Sequence, residues 1–380
     1  MRNFKSIQYV SLELSPVTLL VGPPAAGKSN ILDAVSFAGY FNRLLLIDKE
    51  YENDYYDLEP LNVTSRYEEP KSLFRDFNIA EEVKILIKDS SITQDLSLKY
   101  EKGQPKLSIN DIAIPWNLNK YELHSSLPRV VNTLKMFTKN LIDSRLYGFD
   151  RYGLAISECS SDTLCGFSYK ARGRLKKSHP VNILSELAWN FVRIPLLSKR
   201  SIVNRINEEL LENLEEKIEL KVGREGDVVI YDYDLESETP AISDSIYRML
   251  YYLAALETAI IYAKIHGLEK RLIVGLEEPE AHIFPFLFKP LVDWIRKAKD
   301  NVYIIISTHN PLFVSLIWDR FEDAKTYYVY RDKKSGKTNV VELDIEKFAK
   351  DLRTTDDLVE LRPSEMIRNY ERAKKETEIR

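Results

Sequence analysis

The chain of 380 residues is 44% hydrophobic and 29% charged, which predicts a globular protein of two or three domains, or one long interrupted domain, with a large core. A net charge of −4 supplies no global basic field, so any nucleic-acid contact is confined to a local patch. No apolar run is long enough to span a bilayer and Met1-Arg-Asn-Phe-Lys5 does not read as a signal peptide, so a cytoplasmic protein with no membrane partner is expected.

Residues 4–21 read as two short strands, Phe4–Leu14 and Val17–Val21, parted by Ser15-Pro16. They lead into Gly22-Pro-Pro-Ala-Ala-Gly-Lys-Ser29, which fits G-x-x-x-x-G-K-S and has the strand before and helix after that give this pattern its meaning. Gly22 and Gly27 let the backbone turn tightly, while the amides of the loop and the positive end of the following helix dipole face an anion. Lys28 can then reach the terminal phosphates of a nucleoside triphosphate, and Ser29 can hold Mg²⁺. The helix is expected to run to about Leu46 with Ile31, Leu32, Val35 and Phe37 buried, and a polar, tyrosine-rich stretch follows from Asp48 to Glu69.

From Glu82 the period changes to two. Val83–Ile87, Leu96–Tyr100 and Lys106–Ile109 read as an antiparallel meander, with turns at 89–91 and 102–104. Helical patterns come next at 126–142, 181–192 and 201–214, interrupted by glycines and by the basic loop Lys170-Ala-Arg-Gly-Arg-Leu-Lys-Lys177. Cys159 and Cys165 have no companion cluster of Cys or His, which argues against zinc and against a disulfide framework. Two strands, Lys217–Val222 and Asp227–Tyr231, join at 223–226. The last third reads α/β: a helix 243–265, strand Arg271–Leu276, a helix 285–298, strand Asn301–Ile306, a hairpin of Lys325–Tyr330 with Asn339–Leu343, and a charged helical tail from about Ile345.

Two strand ends carry chemistry. The apolar run Leu272–Leu276 ends in Glu277-Glu-Pro-Glu280, and carboxylates there, in a chain with a phosphate loop, suit a metal and an attacking water. The alternative is that acidic residues complement the dipole of the next helix. Val302–Ile306 ends in Ser307-Thr-His-Asn-Pro311, so His309 leaves a buried strand where a polar contact to the terminal phosphate or the water is expected. A third signal is Ser243-Asp-Ser245 opening a helix, which N-capping by Ser243 alone would also explain.

In this order the motifs resemble the ATP-binding-cassette ATPases of the chromosome-maintenance and DNA-repair branch, and within them the stand-alone AAA-like ATPases related to the overcoming-lysogenization-defect proteins. The matching residues are Ser29-Asn30 with Asp33-Ala34, Ser243-Asp244, Glu277–Glu280 and Ser307–His309, and the likeness covers residues 4–46 and 235–345. It implies an α/β P-loop NTPase of ABC type, with a mixed central sheet, an antiparallel meander and an inserted helical lobe. The lobes would be 1–118 with 236–345 for the ATPase, 119–235 for the insert, and 346–380 for the tail. It further implies that Gly22, Pro23, Pro24, Ala25, Ala26, Gly27, Lys28, Ser29 and Asn30 bind ATP, with Ser29 and Glu277 on Mg²⁺. Glu278 would orient or deprotonate the water and His309 would sense the γ-phosphate. Ser243, Asp244 and Ser245 would face the ATP of a second copy, in a homodimer that closes with ATP.

Several residues depart from the family pattern. Pro24 and Ala25 stand where Asn and Gly are usual, and Ser245 replaces the signature glycine. The glutamine that links the lobes has no clear counterpart, since Gln94 and Gln104 both lie in the meander, with Arg145 or Arg151 as stand-ins. Two partner classes follow: DNA, met through Lys170, Arg172, Arg174, Lys176 and Lys177, or a separately encoded effector protein such as a toxin or nuclease. About 70 residues follow His309, too few for the nuclease domain that related proteins append. A transporter motor would carry Leu-Ser-Gly-Gly-Gln and an Asp-Glu pair, and this chain has neither.

Overall fold

The computed structural model describes residues 1–46, 69–89, 93–114, 116, 143–147, 196–213, 218–223, 228–232, 235–237, 244–269, 272–344 and 361–378. In chain order the strands are β1 (Arg2–Phe4), β2 (Ile7–Tyr9), β3 (Val17–Val21), β4 (Val83–Lys88), β5 (Thr93–Glu101), β6 (Gln104–Ile109), β7 (Ile112–Ile114) and β8 (Asp143–Tyr147). They continue with β9 (Ile218–Val222), β10 (Val228–Asp232), β11 (Leu235–Ser237), β12 (Leu272–Glu277), β13 (Tyr303–Thr308), β14 (Lys325–Arg331) and β15 (Thr338–Leu343). The α-helices are α1 (Lys28–Leu46), α2 (Leu196–Asn213), α3 (Asp244–His266), α4 (Phe288–Ala298), α5 (Pro311–Arg320) and α6 (Pro363–Glu378). The chain forms two compact units, one of residues 1–46, 61–144 and 305–380, the other of 47–60 and 145–304.

The first unit contains an antiparallel sheet in the order β2-β1-β4-β5-β6-β7. Period two shapes it: Val83 and Ile85 of β4 and Leu96 and Leu98 of β5 are buried, while Lys84 between them faces out. A second group of strands runs β15-β14-β3-β13, with β14 antiparallel to β15 and parallel to β3, so this sheet is mixed. All five residues of β3 are buried. Residues 31–40 of α1 are buried as well, as expected of a helix that is apolar around its circumference. Phe4 and Phe37 meet at 6.0 Å in this core.

In the second unit α3 is the central helix and packs against α2, α4 and β12. Its length from Leu250 to Leu256 is buried. Tyr147 of β8 meets Tyr251 edge-on at 5.8 Å. Arg205 ties α2 to α4 through Asp293 at 3.0 Å and pairs within α2 with Glu209 at 2.7 Å. The small sheet β11-β10-β9 is anchored to α2 by Asn207, whose side chain both donates to and accepts from the backbone of Leu220 at 2.8 Å.

The observed elements differ from the sequence expectations at identifiable points. The single strand expected over Phe4–Leu14 is two short strands around a turn at Lys5-Ser6, with Asn3 and Lys5 at φ of 54° and 48°. The helix expected at 285–298 opens as a 3-10 turn, Pro285–Leu287, before α4 begins. Strands β7, β8 and β11 and helix α5 are additional, and α2 begins at Leu196 rather than Ser201; of the charged helical tail expected from about Ile345, residues 345–360 lie outside the described residues and Pro363–Glu378 are helical. The helical readings at 126–142 and 181–192 lie outside the described residues. Among the described residues no helix is long and apolar enough to cross a membrane.

Candidate functional site

The phosphate-loop residues are all described. Strand β3 delivers the chain to Gly22, whose φ of +150° and neighbours admit no side chain, since a Cβ there would lie 2.0 Å from the Val329 carbonyl oxygen. Gly27, at φ +105°, is equally constrained, with a Cβ 2.2 Å from Thr338 Oγ1 and 3.0 Å from Ser6 Oγ. Between them Pro24 and Ala25 are exposed, and Ala25 takes φ +59°, a left-handed conformation that costs a non-glycine residue about 1 kcal/mol. Helix α1 starts at Lys28, so the loop ends at a helix N-terminus as the motif requires. The ammonium of Lys28 is buried and donates to the carbonyls of Gly22 at 2.7 Å and Pro23 at 3.0 Å, closing the loop around itself.

A chain of donors holds this loop from outside. Asn30 Nδ2 donates to Ser6 Oγ at 2.6 Å, Ser6 and Thr338 share a hydrogen bond of 2.7 Å, and Thr338 Oγ1 donates to the Ala26 carbonyl at 3.1 Å. Lys5 Nζ pairs with Asp33 Oδ2 at 2.7 Å, and Asp33 is buried. The turn between β1 and β2 and the first residue of β15 therefore frame the phosphate loop. Sequence reasoning missed Ser6 and Thr338, which stand 332 positions apart, so no local pattern could join them.

His309 also lies in the first unit. The buried strand β13 ends at Thr308, and His309 stands half-buried before Asn310. The Asn310 side chain caps α5 by accepting from the Phe313 amide at 3.1 Å, with Pro311 in the first turn. That pair of residues was the overlooked signal for α5. Gln94 is fully buried on β5 and its amide donates to the Ala38 carbonyl at 2.6 Å, while Gln104 is exposed at the start of β6. Gln94 thus has a structural role in holding α1. Arg145 lies on β8.

In the second unit the acidic turn follows β12 directly. Leu272–Leu276 are buried and Glu277 is half-buried at the strand's end. Glu278 adopts φ +43° and His282 φ +59°, Glu280 is buried, and His282 is exposed. Tyr252 of α3 donates its hydroxyl hydrogen to the Glu277 carbonyl at 2.9 Å, and burial pushes this phenol well above its ordinary pKa. Ser245 Oγ donates to the His282 carbonyl at 2.7 Å, so the hydroxyl expected on the surface facing a second copy is engaged within its own chain. Asp244 is exposed in the first turn of α3 and pairs with Arg248 at 2.9 Å.

Ser243, Arg151 and the basic loop residues Lys170, Arg172, Arg174, Lys176 and Lys177 lie outside the described residues. Among the described residues no group of three or more His, Cys, Asp and Glu side chains could hold a metal. A hydroxyl and a carboxylate, as in Ser29 and Glu277, are hard oxygen donors of the kind Mg²⁺ takes, usually one or two from protein with the rest from phosphate and water.

No protein-family model and no curated protein matches the chain. Among solved structures it is similar to the SMC head domain from Thermotoga maritima, at 12% identity and a TM-score of 0.44 over 90% of this chain and 97% of that one. It is similar to an Smc head bound to the C-winged helix domain of ScpA, at 17% identity and a TM-score of 0.49 over 92% and 97%. A third is an Smc head with an extended coiled coil, bound to the C-terminal domain of ScpA derived from Pyrococcus furiosus, at 16% identity and a TM-score of 0.46 over 92% and 96%. Every one of these scores is below 0.5, so the likeness carries no argument about this chain.

Proposed function

We propose that the chain is an ABC-type ATPase of the chromosome-maintenance and repair branch, which binds ATP with Mg²⁺ and hydrolyses it as an ATP-gated homodimer. The observation that supports this most is the phosphate loop itself: two glycines in conformations and spaces closed to any side chain, a buried lysine, and a helix that starts at that lysine. In the proposed reaction water attacks the γ-phosphorus in line, the bond to the β–γ bridging oxygen breaks, and Glu278 orients the water and takes its proton. Lys28 moves from the Gly22 and Pro23 carbonyls to the β- and γ-phosphates, and the backbone amides of the loop from Gly22 to Asn30 complete the cradle. Ser29 and Glu277 would hold Mg²⁺, which supplies positive charge against the phosphate oxygens. His309 is assigned the polar contact to the γ-phosphate, and Ser243 with Asp244 the contact to the ATP of a second subunit.

A cytoplasmic location, DNA as the partner of the Lys170–Lys177 loop, and the lobe division at 118, 235 and 345 are further parts of this reading, drawn from the sequence. The experiment that tests its centre is ATP binding and turnover in three proteins. The unaltered chain should hydrolyse ATP. Lys28→Ala should lose binding by tenfold or more. Glu278→Gln should keep ATP within a few-fold while turnover falls at least a hundredfold, the scale of a lost general base. Turnover in Glu278→Gln equal to that of the unaltered chain would remove the catalytic assignment.

A further inference from the structure

Ser245, Arg248 and Tyr252 are spaced three and four residues apart, which places them on one face of α3, and seven residues of helix rise about 10 Å. From the two ends of that stripe, hydroxyls reach the backbone at the two ends of the acidic turn. Tyr252 donates to the carbonyl of Glu277 at 2.9 Å and Ser245 to that of His282 at 2.7 Å. The stretch from Glu277 to Ile283 carries two further turn bonds, Ala281 N to Glu278 O at 3.0 Å and Ile283 N to Glu280 O at 3.1 Å.

The backbone of this stretch is unusual where the chemistry is assigned. Glu278 and His282, neither of them glycine, both take left-handed φ values of 43° and 59°. Such conformations persist only where the surroundings over-determine them. The two side-chain bonds are restraints of that kind: each removes a degree of freedom at one end of a turn that would otherwise relax. Since φ of Glu278 sets where its carboxylate points, releasing either end redirects that carboxylate, and displacement by about 1 Å can reduce a rate a hundredfold.

We infer that Ser245 and Tyr252 are positioning residues for Glu278, holding α3 and the acidic turn 277–283 as one body. The inference rests on the ATPase reading and deepens it. It also gives the serine at position 245 a purpose that the usual glycine could not serve, because glycine has no hydroxyl to give to His282.

The test uses the full chain and two variants that each remove one hydroxyl and keep the packing shape, Ser245→Ala and Tyr252→Phe. Turnover should fall at least tenfold in each, while affinity for ATP stays within twofold. Hydrogen exchange, measured without nucleotide, should quicken at the amides of Glu278 and of 280–283 and stay unchanged in the rest of β12 and α3. Ser245→Thr, which restores the hydroxyl, should recover most of the rate. Unchanged turnover in an active background, or faster exchange spread evenly along α3 and β12, would overturn the inference. Failure of the ATPase reading is distinguishable: the unaltered chain would then bind no ATP, and the exchange pattern without nucleotide would still decide whether the two hydroxyls hold the turn.

Discussion

Two small residues of the phosphate loop are held in opposite ways, and their substitutions should differ accordingly. At Gly22 an added methyl would meet the Val329 carbonyl at 2.0 Å, backbone that cannot rotate away. Gly22→Ala should therefore lower the unfolding free energy measured by denaturant titration by roughly 2 kcal/mol or more, the scale of overpacking plus a disfavoured φ, and ATP binding should be lost with it. Ala25 already pays for its left-handed φ of 59°. Ala25→Gly removes about 1 kcal/mol of that strain and loses a similar amount through the freer unfolded chain, so stability should move by less than about 0.5 kcal/mol. Tyr328 gives a prediction in pH. Its ring is buried beside Tyr330 and its hydroxyl has no hydrogen-bond partner among the described residues, and burial pushes its pKa up to about 12. The folded pKa lies above the unfolded one near 10, so its contribution is fully present below pH 10 and is lost as pH climbs towards 12. Tyr328→Phe replaces an unpartnered hydroxyl by an apolar edge, which should leave stability at pH 8 equal or raised by up to about 1 kcal/mol. The alkaline loss between pH 10 and 12 should become shallower without vanishing, because Tyr252, Tyr327 and Tyr330 are raised as well. Urea midpoints at pH 8 and 11 would check both statements, and an unchanged slope would show that Tyr328 is not among the groups responsible.

At the scale of elements, the phosphate loop is held between strands that are remote in sequence. The hydroxyl of Thr338, first residue of β15, serves the Ala26 carbonyl and Ser6 together, and the Thr338 amide bonds the Ser6 carbonyl at 3.2 Å. Thr338→Val keeps the shape and removes the donor, leaving a buried carbonyl unserved at a cost of about 1–3 kcal/mol. ATP affinity should weaken about tenfold and Thr338→Ser should restore it; equal affinity in all three proteins would mean the clasp does not shape the loop. This clasp also shows what the sequence could and could not disclose. The strands β3, β12 and β13, helix α1 and the β4–β6 meander follow from local periodicity and came out within a few residues of expectation. Gly22 and Gly27 were legible because the motif demands backbone freedom there. The break at Lys5-Ser6, by contrast, comes from pairing within β1 and β2, and the partnership of Ser6 with Thr338 depends on β15 returning to the loop, neither of which leaves a mark on neighbouring residues. Helix α5 was legible in principle from Asn310-Pro311, but a ten-residue helix is short enough to be taken for the end of a strand. Tyr252 was hidden for a different reason: in a helix buried on nearly all sides, one more aromatic looks like core until its hydroxyl is seen to reach Glu277.

Across the whole molecule, the groups assigned to ATP are distributed over both compact units. Residues 22–30 and His309 belong to the first, and Asp244, Ser245, Glu277 and Glu278 to the second. The proposed cycle adds a second copy of the chain, whose Ser243 and Asp244 would meet the nucleotide. Two observations make self-association depend on ATP in this reading. A net charge of −4 gives two copies no electrostatic attraction for one another, and Asp244, the exposed carboxylate at the start of α3, pairs already with Arg248 at 2.9 Å. A bound nucleotide would then supply the contacts that the free surfaces lack, and association follows its occupancy by mass action. Light scattering after gel filtration should accordingly find a monomer without nucleotide. Glu278→Gln, which retains ATP, should shift to twice the monomer mass when ATP and Mg²⁺ are present, and Lys28→Ala should stay monomeric under the same conditions. The unaltered chain should dimerise only transiently, because turnover empties the site. If Glu278→Gln binds ATP and remains monomeric at concentrations well above its affinity for the nucleotide, the gated dimer is wrong, and Asp244 belongs to the local architecture of α3 rather than to a partner's ATP.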